Sequence, residues 1–209
     1  MAKQEKETIM TQLDFLWNSS IEMNSYFTVI KQIDDNFYTY KDQILLSPTF
    51  YLYTYNALII ATCSEVSRMY DRRSKNNLFK FLNYCIQNSE LLFLIHKNDG
   101  SGLKSKQEID EFLHETNNKI KKIELVLDNL KKQRDKIYSH NDFQKKEDKN
   151  LYINNNPIFV EDMEKLIQIA TEFLQSMYVL LINRKKAIVA NGILDWENTL
   201  QILKDRGIY

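Results

Sequence analysis

The sequence predicts an all-α fold, and three observations support this prediction. Glycine and proline interrupt regular structure, and the 209 residues include only four glycines and two prolines. Apolar residues recur at steps of three and four along most of the chain, which is the spacing of one face of an α-helix. We find no stretch with the strict apolar–polar alternation of a half-buried strand. Turn-poor, charge-rich chains of this kind are usually helical.

The first two helices are predicted from an apolar stripe and a capping signal. A long amphipathic helix is indicated by a stripe that comprises Ile9, Leu13, Leu16, Met23, Phe27, Ile30 and Phe37. It should end before Ser47, a candidate cap for the next helix, with Pro48 in the first turn of that helix. The second helix should run to about Arg73. Its middle, residues 57–63, is apolar on nearly every side, so we expect it to be the most enclosed helix of the fold.

Two further helices are predicted in the middle of the chain. The third should run from Leu78 to about His96, between a break at 74–77 and a turn at 97–102. The fourth carries a heptad-like seam, which is typical of packing in a helical bundle. The seam comprises Ile109, Leu113, Thr116, Ile120, Ile123, Leu127, Leu130, Arg134 and Ile137.

The rest of the chain predicts a loop and two more helices. Residues 143–157 are polar and rich in asparagine, so we expect a mobile loop there. A fifth helix follows, with an apolar stripe that begins at Met163. A short helix closes the chain, with Asp195 as its expected N-cap and Gly207 as its expected stop. The chain shows no internal repeat, and we expect residues 1–209 to form a single domain.

Composition restricts the classes of function. The formal net charge is zero and the pI is near 6.8, so no global field attracts the protein to nucleic acid, and any RNA-binding surface must be local. Cys63 and Cys85 lie in apolar surroundings, which indicates buried thiols in a reducing compartment. The charged N-terminus lacks the apolar segment of a signal peptide, and the most apolar run, 56–63, is too short to cross a bilayer. We therefore expect a soluble, cytoplasmic protein without a membrane partner.

Familiar catalytic motifs are absent from the sequence. It contains no Walker A motif, no dinucleotide-binding fingerprint, no His-Glu-x-x-His and no cysteine–histidine ligand set. The pair of Glu-x-x-His motifs of di-metal bundles is also missing, so the scattered carboxylates are predicted to be solvated. His96 and His114 are expected to be packed or capping residues. We expect neither a metal ion nor another cofactor.

The segment RDKIYSHND, residues 134–142, carries the candidate catalytic pair. Arg134 occupies an otherwise apolar seam, which is costly unless a carboxylate or a phosphate meets its guanidinium. Two explanations stay open, an ion pair with Glu65 or an anion-binding site. His140 follows six residues later, and at about 100° per residue it would point about 240° away from Arg134 on a regular helix. The two side chains can meet only if the backbone leaves the helix near Ser139, or if a second chain supplies the partner.

These features occur together in a pattern known from other proteins. Arg134 is followed by Asp135 and, at the spacing above, by His140, at the end of a long helix in an all-α chain, and an earlier helix carries YNALIIATCSEVSRMYDRRSKNN. In this combination the chain resembles the HEPN superfamily, and within it the group related to abortive-infection proteins of the AbiU type. The resemblance covers most of the chain in helix order, with the firmest matches at 51–77 and 130–142. It implies a HEPN-like four-helix up-and-down bundle core with additional C-terminal helices, a homodimer, and metal-independent RNase activity.

The resemblance also implies roles for the residues of the motif. Arg134 contacts phosphate, Asp135 is the polar residue that follows it, and His140 transfers protons, with two copies of the motif meeting across a two-fold axis. One branch of the superfamily has a tyrosine two residues after the histidine as an acceptor of nucleotide modification, whereas Asp142 stands there in this chain. This departure disfavours an antitoxin mechanism by nucleotide transfer, although Tyr138 lies within the motif.

RNA chemistry explains these residue types. The 2′-hydroxyl of RNA can attack the adjacent phosphate, so an enzyme need only move protons and stabilise charge, which a histidine and an arginine can do. Nearby basic residues are candidates for contacts with the RNA backbone, namely Arg68, Arg72, Arg73 and Lys136. Structural ion pairs of Arg68 with Glu65 or with Asp71 remain the alternative.

The sequence thus favours a metal-independent HEPN endoribonuclease that cleaves RNA at a dimer interface and acts as a toxin or a phage-defence effector. The partners expected with this function are RNA, a second copy of the chain, and a cognate antitoxin or regulatory protein. The alternative is a non-catalytic HEPN-fold bundle that binds RNA, a nucleotide or a partner protein.

Overall fold

The computed structural model describes residues 2–98, 104–138, 146–193 and 195–208, and all regular structure in these ranges is helical. The first half contains α1 (Ala2–Asn36), α2 (Lys41–Ile44), α3 (Pro48–Tyr70), α4 (Leu78–Gln87) and α5 (Ser89–Asn98). The second half contains α6 (Lys106–Lys121), α7 (Glu124–Gln133), a π-helical turn (Arg134–Tyr138), α8 (Lys146–Asn155), α9 (Val160–Ile182) and α10 (Asp195–Asp205). The predicted all-α fold is confirmed.

Helix α9 forms the centre of the bundle and packs against α1, α3, α5 and α6. Its predicted apolar stripe is buried, namely Met163, Ile167, Ala170, Leu174, Met177 and Leu181. The helix ends where Asn183 adopts a left-handed backbone with a φ of 52°. By length and composition α9 is also apolar enough to cross a membrane, but most of it is buried among the other helices.

The N-terminal half of α3 is exposed, so the prediction that α3 is the most enclosed helix is wrong. The buried residues of α3 begin at Thr62. Four apolar side chains before it expose between 44 and 70% of their surface, namely Phe50, Leu52, Tyr53 and Ile60. Apolar residues on every side of a helix are buried only where neighbouring helices cover them, and the neighbours of α3 bury its apolar side chains only from Thr62 onward.

Two of the predicted helices are divided in the structure. The third consists of α4 and α5, which are separated at Asn88, whose backbone and side-chain amides both donate to the Tyr84 carbonyl. The fourth consists of α6 and α7, separated at residues 122–123, and is followed by the π-helical turn. The seam continues across this break, because its apolar members from Ile109 to Ile137 are buried or packed against the core. The periodic pattern therefore identified the correct face but not the interruptions.

The segment predicted as a loop, residues 143–157, contains α8, so that prediction is wrong for most of its length. The polar composition of the segment gave no sign of a long-range contact that the structure contains. The side-chain amide of Gln133 in α7 donates to the Asn156 carbonyl at 2.6 Å. This hydrogen bond fixes the end of α8 against α7. Residues 143–145 lie outside the described part of the chain, and the mobility of the segment stays a prediction.

The predicted helix ends near Ser47 and Gly207 are confirmed. Ser47 holds the N-cap position of α3 with Pro48 in the first turn, although the Ser47 side chain makes no capping hydrogen bond. Gly207, with a φ of 65°, follows the end of α10, where a left-handed residue stops the helix. Helix α10 begins at Asp195 and packs against α2 in a small apolar cluster that includes Tyr40, Ile44 and Leu200.

The two cysteines and one of the histidines lie in the core, as predicted. Cys63 and Cys85 are both buried, and burial raises the pKa of the Cys85 thiol to about 12. His96 is buried in α5, where its Nδ1 lies 3.0 Å from the Leu180 carbonyl of α9, so it packs as expected. His114 is instead exposed in the middle of α6, so the packed or capping role expected for it is wrong.

Candidate functional site

Arg134 begins the π-helical turn that follows α7. In such a turn the hydrogen bonds span five residues instead of four, and single turns of this kind occur frequently at functional sites. The turn packs against α3. The Arg134 side chain is 17% exposed, so it is largely buried but still reaches the surface. The backbone thus leaves regular α-helical geometry at Arg134, before it reaches Ser139.

Two carboxylates hold the Arg134 guanidinium. Its Nε donates to Asp135 Oδ1 at 2.8 Å, and its Nη2 lies 2.6 Å from the same oxygen. Its Nη1 donates to Asp71 Oδ2 at 3.5 Å. The ion pair of Arg134 with Glu65 considered from the sequence is not formed, because Glu65 pairs with Arg68 on the same helix. Asp71, just beyond the end of α3, is the carboxylate that lies within reach of the turn.

Asp71 connects two arginines. Besides Arg134, it accepts hydrogen bonds from the Arg73 backbone N–H at 3.0 Å and from Arg73 Nε at 3.3 Å. Burial acts to raise the pKa of Asp71, but these hydrogen bonds and the charges of Arg73 and Arg134 outweigh it and hold the pKa below the ordinary value of 3.8. Asp71 is therefore ionised at neutral pH and contacts both guanidinium groups at the end of α3.

A cavity of about 430 Å³ lies beside Arg134, between the C-terminal end of α3, the start of α4, and α7. Apolar and aromatic side chains form part of its wall, namely Tyr70, Phe79, Leu127 and Leu130. The polar part consists of Ser67, Asp71, Arg72, Arg73, Glu124, Asp128, Lys131 and Arg134. Its volume falls in the range of sites that bind small molecules.

Two of the basic residues predicted to contact RNA line this cavity together with Arg134, and they are Arg72 and Arg73. The guanidinium of Arg72 lies 4.3 Å from the centre of the Phe79 ring. Its Nη2 donates to Glu124 Oε1 at 2.7 Å. The Arg72 side chain is thus positioned over an aromatic ring at the rim of the cavity, although 65% of it is exposed.

The other two predicted basic contacts lie away from the cavity. Arg68 pairs with Glu65 and donates to Ser19 Oγ at 3.0 Å, so the structural pair that the sequence left open is formed. The alternative pair of Arg68 with Asp71 is not formed, since Asp71 binds the two arginines described above. Lys136 is exposed on the π-helical turn and is not part of the cavity wall.

Comparison with known proteins places the chain in a family. The sequence profile of the HEPN family AbiU2 matches residues 6–199. The chain belongs to the AbiU2 family of HEPN proteins. No curated protein and no solved structure matches it. The family match extends from α1 into α10, confirms the resemblance found in the sequence, and identifies an abortive-infection-related HEPN domain.

The segment predicted to carry the HEPN motif, residues 134–140, is described only in part. Arg134 and Asp135 are in contact, and Arg72 and Arg73 lie on the same cavity as Arg134. The Tyr138 backbone closes the π-helical turn, but the Tyr138 side chain and all of His140 lie outside the described residues.

Sequence reasoning did not predict the positions of Asp71, Ser67 and Phe79 in this site. Asp71 stands among the arginines of the segment SRMYDRRSK, so a signal for its role existed, but its pairing with Arg134 depends on how α3 meets the π-helical turn. Ser67 and Phe79 carry no local signal, because a cavity between three helices forms only after those helices have packed.

Proposed function

We propose that this HEPN domain is a metal-independent endoribonuclease that acts as a toxin or phage-defence effector in abortive infection. The observation that carries the proposal is the position of Arg134, a largely buried guanidinium on a π-helical turn beside a cavity, held by Asp71 and Asp135. An arginine fixed in this way needs little reorganisation to bind a phosphate, which favours electrostatic stabilisation of a transition state. Among the described residues, its contacts with Asp71 and Asp135 use one hydrogen of each terminal nitrogen, so the second hydrogen of each can donate to a phosphate oxygen.

The proposed reaction requires only proton transfer and stabilisation of charge. The 2′-hydroxyl attacks the adjacent phosphorus and gives its proton to a base, while the bond to the 5′-oxygen breaks and an acid returns a proton to that oxygen. The products are a 2′,3′-cyclic phosphate and a 5′-hydroxyl. Arg134 stabilises the negative charge of the phosphorane, and His140 transfers the protons, since an imidazole titrates near pH 6.5, at about the pH of the cell.

The site is proposed to be shared between two copies of the chain. One RNA phosphate requires both Arg134 and His140, and the resemblance to HEPN proteins implies that two copies of the motif meet across a two-fold axis. A two-fold axis at the π-helical turn would bring Arg134 of one protomer to the partner's His140. We therefore propose a homodimer, with RNA as substrate, a cytoplasmic location, and a cognate antitoxin or regulatory protein as the further partner.

Cleavage of RNA in the presence of EDTA tests this proposal. The purified parent protein is expected to cut single-stranded or loop RNA, to leave 2′,3′-cyclic phosphate ends, and to leave DNA intact. Arg134→Ala and His140→Ala should each lower the rate by about 10²-fold or more, because they remove charge stabilisation and proton transfer. Arg206→Ala, a change of the same type at an exposed position on the C-terminal segment, is the control and should retain the parent rate. Parent-like cleavage by both site variants, or a requirement for added magnesium, would overturn the proposal.

A second candidate function is a non-catalytic HEPN bundle that binds RNA, a nucleotide or a partner protein. The observation that favours it is the pairing of Arg134 with two carboxylates, since an arginine so paired can serve the structure alone. In that case Arg134→Ala lowers the stability of the fold, and RNA stays intact with the parent and with every variant.

A further inference from the structure

Ser67 has a buried hydroxyl without a hydrogen-bond partner. The residue is 5% exposed, and among the described side chains its Oγ is the one buried polar atom that finds no partner. Thr62, on the same helix, shows the usual solution, because its hydroxyl donates to the Leu58 carbonyl at 2.8 Å. Buried polar groups in native structures are nearly always paired, so each exception requires an explanation. Ser67 lines the cavity beside Arg134, which is where a bound molecule would supply the missing partner.

The wall next to Ser67 suits an aromatic ring. Tyr70 and Phe79 pack edge to face, with their ring centres 6.1 Å apart. Leu127 and Leu130 of α7 complete the apolar part of the wall. A flat heterocycle can bury its faces against such side chains, whereas an inorganic anion would leave the apolar wall without a contact.

The arginines at one end of the cavity favour the binding of a phosphate there. Arg134 and Arg73 both contact Asp71, so two guanidinium groups lie at the end of α3. An uncharged apolar molecule would use neither these groups nor the Ser67 hydroxyl. A nucleotide uses all of them, with its base against the apolar wall, a polar atom of the base edge at Ser67, and its phosphate at Arg134.

We propose that the cavity holds one unstacked base of the substrate next to the phosphate bound by Arg134, and that Ser67 selects this base by hydrogen bonding to its edge. This inference rests on the proposed ribonuclease function and adds a specificity-determining residue to it. Single-stranded RNA is commonly recognised in this way, through bases that are splayed out, stacked on side chains and hydrogen-bonded at their edges. This hydrogen bond selects the base, because a site with a buried hydroxyl disfavours a base whose edge cannot form a hydrogen bond with it.

Binding of RNA that cannot be cleaved tests the inference independently of catalysis. Four 2′-O-methyl octamers, each of one base, lack the attacking 2′-hydroxyl, and their affinity for the intact protein can be measured by fluorescence anisotropy. The parent is expected to prefer one base. Ser67→Ala should weaken binding of that octamer about tenfold, the value of one hydrogen bond, and should remove the preference. Phe79→Leu should weaken all four octamers, because it removes the aromatic surface.

Thermal unfolding supplies the matched control. Ser67→Ala should leave the melting temperature unchanged or raise it, because it removes an unpaired buried hydroxyl. Thr62→Val removes a paired hydroxyl from the same helix outside the cavity, so it should lower the melting temperature and leave octamer binding unchanged. If Ser67 serves only the fold, Ser67→Ala should leave the base preference unchanged. That result would overturn the inference.

The inference and the ribonuclease proposal fail in different ways. If Ser67→Ala and Phe79→Leu bind all octamers like the parent while the parent cleaves RNA, the base site is wrong and the nuclease stands. If binding depends on Ser67 but cleavable RNA stays intact, the nuclease is wrong and the cavity is a nucleotide site. Nucleoside 5′-monophosphates are the second probe. Binding of a monophosphate as tight as that of the preferred octamer would identify a free nucleotide as the ligand and overturn the assignment to a base of RNA.

Discussion

The two halves of α3 have opposite environments. The N-terminal half exposes large apolar side chains such as Phe50, Leu52 and Tyr53, whereas the C-terminal half buries Val66 and Met69. The cavity wall and the segment that carries Asp71 belong to the C-terminal end. The difference shows that neighbouring helices, and not the apolar content of a helix, decide which part is buried. It also shows where the site forms, namely where α3 meets α4, α7 and the π-helical turn.

The largest expected effect is on cross-linking, which tests whether the dimer interface lies at the π-helical turn or on the exposed N-terminal half of α3. If the active form is a dimer about the π-helical turn, Lys136→Cys should give covalent dimers with a short bismaleimide, because two copies of this exposed position would face each other. Tyr53→Cys, on the exposed apolar half, should remain a single chain under the same conditions. The opposite result would place the interface on the N-terminal half of α3 and would remove the shared site.

The next largest effect is expected on stability. Met69 is 2% exposed and Leu52 is 60% exposed, although both are apolar residues of α3. Met69→Ala should lower the free energy of unfolding by about 2–5 kcal/mol, because it leaves a cavity in the core. Leu52→Ala should change it by less than about 0.5 kcal/mol, because the side chain is already in water. Equal losses in urea unfolding would show that both halves are covered and would contradict the comparison.

The smallest effect concerns the charge of Asp71. The pKa of Asp71 is below 3.8 in the folded protein, so the unfolded chain binds the proton more tightly than the folded chain does. The Asp71 charge therefore stabilises the fold at pH values above 3.8. This stabilisation is lost as the pH falls through the lowered pKa. Asp71→Asn should therefore lower the free energy of unfolding at neutral pH by on the order of 1 kcal/mol, since the pair is partly exposed. The difference from the parent should shrink below about pH 4. A difference that stays constant into acid would show that the Asp71 charge contributes nothing.

The features that sequence could predict are those that depend on local spacing. The stripe of α9, the seam of α6 and α7, the cap position of Ser47 and the stop at Gly207 all follow from periodicity and backbone preference within one segment. The family resemblance belongs to the same class, because it rests on a contiguous motif and on helix order, and the family match confirms it.

The features that sequence could not predict depend on contacts between distant segments. Asp71 meets Arg134 across 63 positions of sequence, and Gln133 holds Asn156 across 23. Contacts over such distances produce no periodic pattern in the sequence. The sequence therefore suggested Glu65 as the partner of Arg134, and it suggested a loop in place of α8. The exposed half of α3 has the same origin, since composition does not reveal which sides of a helix other helices will cover.

The central claim is that the end of α3 and the π-helical turn form an active site in which Arg134 binds the scissile phosphate. Arg134→Lys tests it most directly, because lysine keeps the positive charge but loses the planar fork that pairs with two phosphate oxygens. With folding verified by thermal unfolding, the rate of RNA cleavage in EDTA should fall by about 10²-fold relative to the parent. Cleavage by Arg134→Lys at the parent rate would contradict the claim, since it would show that the guanidinium has no specific part in the reaction.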